Sequence, residues 1–278
     1  MRLKKKLGYY LESVSNKGSS RLNEDAFSIN DKDQTFAVFD GATSLIPFTN
    51  SAGKTGAYLA SNIAKSIFDE GGKDLKSLVM EVNDKIRAEM ISNGIDLSDK
   101  LNLWGTTAAA VRLHPGRFEW LQIADTNILV VYRDGSSRFL VETSGHDQRA
   151  LMRLKSLIAS GSADPLKELM PDLVAQRRRL NVTYGVIAGE DEVKFIKTGS
   201  ERLDGVKAIL IFSDGMLIPQ ASPEIKATSD EIANAYAAGG LEGWLATVRS
   251  MEDADMAMAR YPRFKPHDDA TAIAIEFD

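Results

Sequence analysis

The sequence contains no cysteine and only three histidines among its 278 residues. The absence of cysteine excludes disulfide bonds, thiolate chemistry and zinc sites of the cysteine type. It also suits a reducing compartment. No stretch approaches the roughly 20 apolar residues of a membrane span, and the N-terminus has no apolar run that resembles a signal peptide. We therefore expect a cytoplasmic protein without a membrane partner.

Positive charge is not in excess, because the formal net charge is −5. Nucleic-acid-binding proteins are more often basic, so nucleic acid is not an expected partner. Hydrophobic residues make up 44% of the chain and charged residues 26%, which is enough apolar material for a large core. No long linker rich in proline, glycine or serine interrupts the chain, so we expect one domain over residues 1–278.

The periodicity of apolar residues predicts strands, then helices, then strands, helices and strands again. Predicted strands cover residues 24–30, 35–39, 105–113, 117–124, 127–133, 136–142, 182–188, 193–198 and 206–213, and a last strand ends the chain. Predicted helices cover residues 51–69, 74–92, 147–160, 164–179, 229–238 and 241–260. Strict alternation of strand and helix is absent. Two stacked antiparallel sheets with helices outside would bury these apolar faces, which is an α+β architecture.

Acidic residues stand where predicted strands begin or end. Asp40 and Asp214 each follow an apolar strand and precede a glycine, Asp125 lies between two strands, and the pairs at 24–25 and 268–269 lead into strands. One such acid is nearly always a turn residue. Several carboxylates that converge raise one another's pKa unless cations neutralise them. Oxygen ligands without cysteine favour Mg²⁺ or Mn²⁺ over zinc, and Gly41 both allows close backbone approach and offers a further carbonyl oxygen.

Six short motifs resemble, in order, those of the metal-dependent protein phosphatases of the PP2C type, in a divergent form of the bacterial kind. They are Asn23-Glu24-Asp25, Asp40-Gly41, Gly105-Thr106-Thr107, Asp125, Ser213-Asp214-Gly215 and Asp268-Asp269-Ala270-Thr271. Each motif is weak alone, but together they span nearly the whole chain. The resemblance implies a four-layer α-β-β-α sandwich with a binuclear Mg²⁺ or Mn²⁺ centre between two mainly antiparallel sheets.

The resemblance also implies a role for each matching residue. Asp40 would bridge two metal ions, and the carbonyl of Gly41 would complete one coordination sphere. Asp214 and Asp268 would hold the second ion. The remaining implied ligands are Glu24 and Asp25, which would bind the first ion directly or through its waters, and Asp125, which with Asp214 would help to hold a third and weaker ion.

The sequence departs from the family pattern at several positions. Arg21, the candidate for binding the substrate phosphate, lies one residue nearer the acids than the family arginine does, and an exposed arginine at a strand start is the alternative. Ala42 replaces a histidine that eukaryotic members have as a proposed general acid, so the proton donor to the leaving group is unassigned. Ile218 replaces a further acid, which weakens the third metal site.

Residues 146–181 occupy the place of the family's variable flap, and we expect a helical insertion there. It ends in Arg177-Arg178-Arg179. Such a run is usually a solvated face, and contact with an acidic or phosphorylated partner is the alternative.

The expected activity is hydrolysis of phosphoserine or phosphothreonine in a protein by a metal-activated water. Two ions about 3.5–4 Å apart can share one water and lower its pKa toward neutrality, so that no phosphoenzyme is needed. A phosphoprotein is then the expected partner. Two alternatives stay open: a phosphatase of a small phosphorylated molecule, and a non-catalytic regulatory or binding module. The sequence gives no expectation about the oligomeric state or the choice between Mg²⁺ and Mn²⁺.

Overall fold

The fold consists of two antiparallel sheets packed face to face and covered by helices. The computed structural model describes residues 2–6, 8–142, 145 and 147–278, with the backbone alone for residues 2–6. Strands are β1 (Arg2–Lys6), β2 (Tyr9–Asn16), β3 (Ala26–Asn30), β4 (Thr35–Ala42), β5 (Gly105–His114), β6 (Arg117–Ile123), β7 (Asn127–Tyr132), β8 (Ser137–Phe139), β9 (Lys197–Arg202), β10 (Val206–Phe212) and β11 (Ala270–Phe277). Helices are α1 (Gly56–Glu70), α2 (Leu75–Ser92), α3 (Gln148–Ala159), α4 (Pro165–Arg177) and α5 (Ser229–Asp253).

One sheet has six strands in the order β1-β2-β11-β10-β7-β8, and the other has five in the order β3-β4-β5-β6-β9. Every pairing is antiparallel. The first and last long strands of the chain, β2 and β11, are neighbours in the six-stranded sheet. The predicted α+β sandwich of two stacked sheets flanked by helices is therefore confirmed.

Strand β4 shows why its apolar run is continuous. Phe36 and Val38 point into the core between the two sheets. Ala37 and Phe39 point the other way, into the core under helices α1 and α2. Because successive side chains of a strand face opposite sides, a strand covered on both faces needs apolar residues at every position. A third core lies under α5, where the rings of Phe212 and Trp244 meet edge to face with centroids 4.9 Å apart.

Local signals fix the ends of several helices. The Thr55 side chain caps α1, and Asp74 caps α2. Thr228 and Glu231 form a capping box at the start of α5. Prediction placed helices at 229–238 and 241–260, and the structure has α5 with a kink between, where Gly240 has a φ of 65°.

The largest differences from the prediction lie in three segments. Strands β1 and β2 were not predicted. Residues 182–188 form no strand: the Asn181 side chain accepts from the backbone N–H of Val186 and donates to its carbonyl, which closes a loop in place of a ladder. The strand predicted at 193–198 lies instead at β9, because Phe195 takes a φ of 59° that a strand cannot continue through.

The predicted flap, 146–181, begins at a residue outside the described part, and its described part contains α3 and α4. These helices share a small core of their own around Leu154 and Leu169, with Phe264 packed against it. Nowhere in the described chain does a helix combine the length and apolar composition that crossing a membrane requires.

Candidate metal and phosphate site

The acids predicted from the sequence come from different strands and meet at one end of the sandwich. Asp40 lies in β4, which continues through Ala42 and pairs Asp40 with Thr107 of β5. The strand predicted at 35–39 therefore continues three residues further than predicted. Asp214 lies two residues after the end of β10, and Asp268 lies two residues before β11. Since β10 and β11 are paired neighbours, their register brings these two acids together.

The carboxylates act strongly on one another. Burial raises the pKa of Asp40 well above its usual range, and the charges of Asp25, Asp214 and Asp268 raise it further. Burial likewise raises the pKa of Asp214, with the charges of Asp268 and Asp125 adding to it. Such a cluster is costly in its ionised form, so it favours either protons or bound cations.

Asp25 has a buried oxygen to spare. Its Oδ2 accepts a hydrogen bond from Ser213 Oγ at 2.6 Å, while its Oδ1 has no hydrogen-bond partner among the described residues. Burial raises the pKa of Asp25 to about 7, although the hydrogen bond from Ser213 opposes the rise. A buried carboxylate oxygen without a donor fits a metal ligand.

Glu24 is held by two hydroxyl groups. Thr43 Oγ1 donates to its Oε2 at 2.8 Å, and Thr55 Oγ1 donates to its Oε1 at 2.5 Å. Thr55 is also the residue that caps α1. Each oxygen of Glu24 thus has a donor, and the side chain ties the turn after β4 to the start of α1.

Gly41 lies where a side chain would collide with two backbone segments. A methyl group there would come within 2.6 Å of the Glu24 carbonyl oxygen and 2.7 Å of the Ala57 carbonyl oxygen. The expected close backbone approach at Gly41 is present. The start of α1 and the strand that carries Asp40 pack directly on each other for this reason.

Asp269 has a structural role that the sequence did not reveal. Its Oδ1 accepts from the backbone N–H of Gly18 and its Oδ2 from that of Glu24, both at 2.7 Å. Asp269 is 4% exposed. It therefore clamps the segment before β3 against the start of β11, between residues that lie more than two hundred positions apart in sequence. Its place beside Asp268 was the one signal available.

The side chain of Arg21, the candidate for binding the substrate phosphate, lies beside the loop before α1. It is exposed, and its guanidinium lies beside Gly53 in the loop before α1, where a methyl group on the glycine would come within 3.1 Å of Nη2. The three arginines at the end of the flap differ in their surroundings. Arg178 and Arg179 are exposed, whereas the Arg177 guanidinium donates a hydrogen bond to the Thr43 carbonyl. Arg177 thereby ties α4 to the turn that follows Asp40, which corrects the interpretation of this residue as part of a solvated face.

Sequence reasoning missed Lys265, which lies beside the acids. Its Nζ donates to Asp268 Oδ1 at 2.7 Å. Burial alone would lower the pKa of Lys265, but the charge and hydrogen bond of Asp268 and the charges of Asp40 and Asp214 outweigh it and raise the pKa. The signal that could have found Lys265 is its place three residues before a candidate ligand.

A cavity of about 270 Å³ opens from the acids. Asp125, Asp214 and Asp268 line one part of it together with Lys265. Its remaining wall is largely apolar and includes Phe139, Leu151, Leu217, Ile218, Tyr261 and Phe264. Ile218, which stands where the family has an acid, is thus part of this apolar wall.

The donor set fits a hard divalent cation, although it is not assembled around one. Within the described part of the chain, no group of three or more acidic or histidine side chains has the arrangement of a ready metal-binding cluster. Neighbouring carboxylates nevertheless raise the pKa of Asp40, and Asp25 Oδ1 has no hydrogen-bond donor among the described residues. Both features favour the binding of a positive charge at this site. A metal ion would have to draw the carboxylates together and compete with the ammonium of Lys265 for Asp268.

Comparisons with known proteins agree with the fold of this chain. A family model described as protein phosphatase 2C matches residues 14–248. None of the curated protein sequences matches the chain. Among solved structures, PppA, a regulatory component of the T6SS in Pseudomonas aeruginosa, is 15% identical with a TM-score of 0.60, over 98% of this chain and 99% of that one.

Two further solved structures show the same fold. The serine/threonine phosphatase PstP/Ppp of Mycobacterium tuberculosis is 19% identical with a TM-score of 0.57, over 98% of this chain and 100% of that one, and a structure of the PstP catalytic domain contains two manganese ions. RsbX in complex with magnesium is 12% identical with a TM-score of 0.56, over 100% of both chains.

Proposed function

The chain belongs to the protein phosphatase 2C family, and we propose that it is a metal-dependent phosphomonoesterase acting on phosphoserine or phosphothreonine in proteins. The observation that carries this proposal is the convergence of Asp25, Asp40, Asp214 and Asp268 from the ends of separate strands into one cluster of mutually repelling carboxylates, of which Asp25 is buried. In its ionised form such a cluster destabilises the fold unless a cation offsets its charge, so a purely structural role does not explain it.

Mg²⁺ or Mn²⁺ is the proposed cofactor. Asp40, Asp214 and Asp268 would hold two ions together with the Gly41 carbonyl and Asp25, and Asp125 is the proposed ligand for a third. When bound, two such ions lower the pKa of a shared water and offset charge on the phosphoryl oxygens. The manganese in PstP and the magnesium in RsbX support this choice of metal.

The protein's own residues would position the reaction. Thr43 and Thr55 donate hydrogen bonds to the Glu24 side chain, and Asp269 accepts one from the Glu24 backbone N–H. These bonds fix the segment that carries Asp25 into β3. The cavity next to the acids would admit the phosphorylated group. The flap at 146–181 borders it through Asp147, Gln148 and Leu151, which supports a role of this segment in substrate choice within a single domain.

A non-catalytic binding module is the second candidate. It is favoured by the lack of a ready metal-binding cluster in the described residues and by Ala42 and Ile218 at two positions where family members have a histidine and an acid. A small phosphorylated molecule remains the alternative substrate, since the cavity of about 270 Å³ would also admit one.

The deciding experiment measures hydrolysis of p-nitrophenyl phosphate and of a phosphothreonine peptide with EDTA, Mg²⁺ or Mn²⁺. We expect metal-dependent activity that Asp40→Asn lowers by more than about a hundredfold, since loss of a residue that merely supports a ligand already costs up to that factor. Asp191→Asn, at a side chain 95% exposed, is the matched control and keeps activity. Activity that persists in EDTA would overturn the metal mechanism, and metal binding without turnover would favour the binding module.

A further inference from the structure

Lys265 is the cation that the structure places against the acids. Its Nζ lies 2.7 Å from Asp268 Oδ1, and its side chain lines the same cavity as Asp125 and Asp214. The side chain is 35% exposed, so it is partly desolvated yet open to the cavity. A ligand that enters the cavity and approaches the acids would therefore come close to the ammonium of Lys265.

The loop that presents this lysine is held by an arginine. The guanidinium of Arg263 donates to the carbonyls of Tyr261 at 2.8 Å and Pro266 at 2.9 Å. It also donates to the carbonyls of Glu252 at 3.0 Å and Asp255 at 2.7 Å. Four hydrogen bonds from one side chain to carbonyls fix the backbone on both sides of residue 265, so the fold sets where the stem of Lys265 begins.

Three other cationic side chains were candidates for contact with a substrate phosphate. Arg21 is exposed beside Gly53, and Arg177 donates to the Thr43 carbonyl. Lys226 lines the cavity but is an exposed residue on its wall. Lys265 donates a hydrogen bond to a candidate metal ligand, Asp268.

We propose that Lys265 binds the phosphoryl group of the substrate, a role for which the sequence motif had suggested Arg21; this inference rests on the proposed phosphatase function. A divalent ion bound to Asp268 would offset the negative charge that holds the ammonium. The flexible four-carbon stem of the lysine then lets its point charge turn to a phosphoryl oxygen in the cavity. Asp268 would therefore bind the ammonium of Lys265 in the absence of metal and the metal ion in its presence. In the metal-bound protein, the phosphate would replace the carboxylate as partner of the ammonium.

The test separates phosphate binding from metal binding. Calorimetry on the Mg²⁺-loaded full chain measures the affinity for inorganic phosphate, and a separate titration of the metal-free chain measures the affinity for Mn²⁺. For Lys265→Met we expect phosphate to bind roughly tenfold more weakly, the low end for a hydrogen bond to a charged group. We expect Mn²⁺ to bind as tightly as to the wild type or more tightly, because its competitor is gone. Lys265→Arg, which keeps the charge, should retain most of the phosphate affinity.

Lys226→Met is the matched control, because it removes the same charge from the wall of the same cavity. It should change phosphate affinity by less than about threefold, as expected for an exposed charge. Equal weakening in both lysine variants, unchanged phosphate affinity in Lys265→Met, or loss of Mn²⁺ binding in that variant would each overturn the proposal. A wild type that binds Mg²⁺ but no phosphate would overturn it too. If the wild type binds phosphate but hydrolyses no substrate, the proposed function fails while the comparison of the two lysine variants still decides the role of Lys265.

Discussion

In EDTA, the stability of this protein should fall as the pH rises from 5 to 8, and Asp25 should cause a measurable share of that fall. Asp25 is 6% exposed, and burial raises its pKa from an ordinary 3.8 to about 7. Between these values the folded protein keeps a proton that the unfolded chain has released. Unfolding then releases a proton, so a higher pH favours the unfolded state.

The size of the effect follows from the shift in pKa. One pKa unit corresponds to about 1.4 kcal/mol, so a shift of about three units amounts to roughly 4 kcal/mol when fully developed. The part that falls between pH 5 and pH 8 is about 3 kcal/mol, since some of the cost is already present at pH 5. The raised pKa values of Asp40 and Asp214 act in the same direction.

The assay is urea unfolding followed by tryptophan fluorescence in EDTA at several pH values. Asp25→Asn should lose about 3 kcal/mol of the wild-type pH dependence, because an amide does not titrate. Asp191→Asn, whose side chain is 95% exposed, should keep the wild-type slope. Saturating Mg²⁺ should flatten the slope of the wild type, because an ion that binds the ionised site stabilises the folded state. Identical slopes for Asp25→Asn and the wild type would refute the reasoning.

Two further substitutions probe the packing that positions the acids. Gly41→Ala should destabilise the protein by about 1–3 kcal/mol in urea unfolding, because its methyl group would meet the Glu24 and Ala57 carbonyls. Gly243→Ala on α5 is the control, because its methyl group would meet nothing within 4 Å, and it should be neutral or stabilising by up to about 1 kcal/mol. A Gly41→Ala variant as stable as the wild type would contradict the close approach. Thr55→Ala should cost about 1–2 kcal/mol in the same assay, because it removes the cap of α1 and a donor to Glu24, whereas Thr55→Ser should cost much less; an equal loss in both would show that the hydroxyl is not what matters.

Much of the architecture could be predicted because its signals are local. The alternation and continuity of apolar residues identified most strands, and caps such as Asp74 lie within three residues of the helix they start. One error falls where a side-chain hydrogen bond overrides the apolar pattern. The apolar segment 182–188 looks like a strand, but the Asn181 side chain closes it into a loop.

The candidate site, too, could be predicted from the sequence only in part. The sequence showed that acids stand at strand ends in a fixed order, and this order was enough to indicate the family and a hard cation. It could not show which oxygen of Asp25 is left without a donor, because the donor to the other oxygen, Ser213, is 188 positions away. It assigned no role to Lys265 and suggested Arg21, because residue type alone does not tell where a long side chain points.

The sequence by itself thus determined the kinds of strands and helices, the acids available as ligands, and the absence of cysteine ligands. Only the tertiary structure decided how those acids meet. The pairing of β10 with β11 brings Asp214 to Asp268, and the Asp269 clamp joins the segment before β3 to the start of β11. Spacing along the chain sets distances over a few residues, whereas the register between strands from opposite ends of the chain sets the distances on which binding depends.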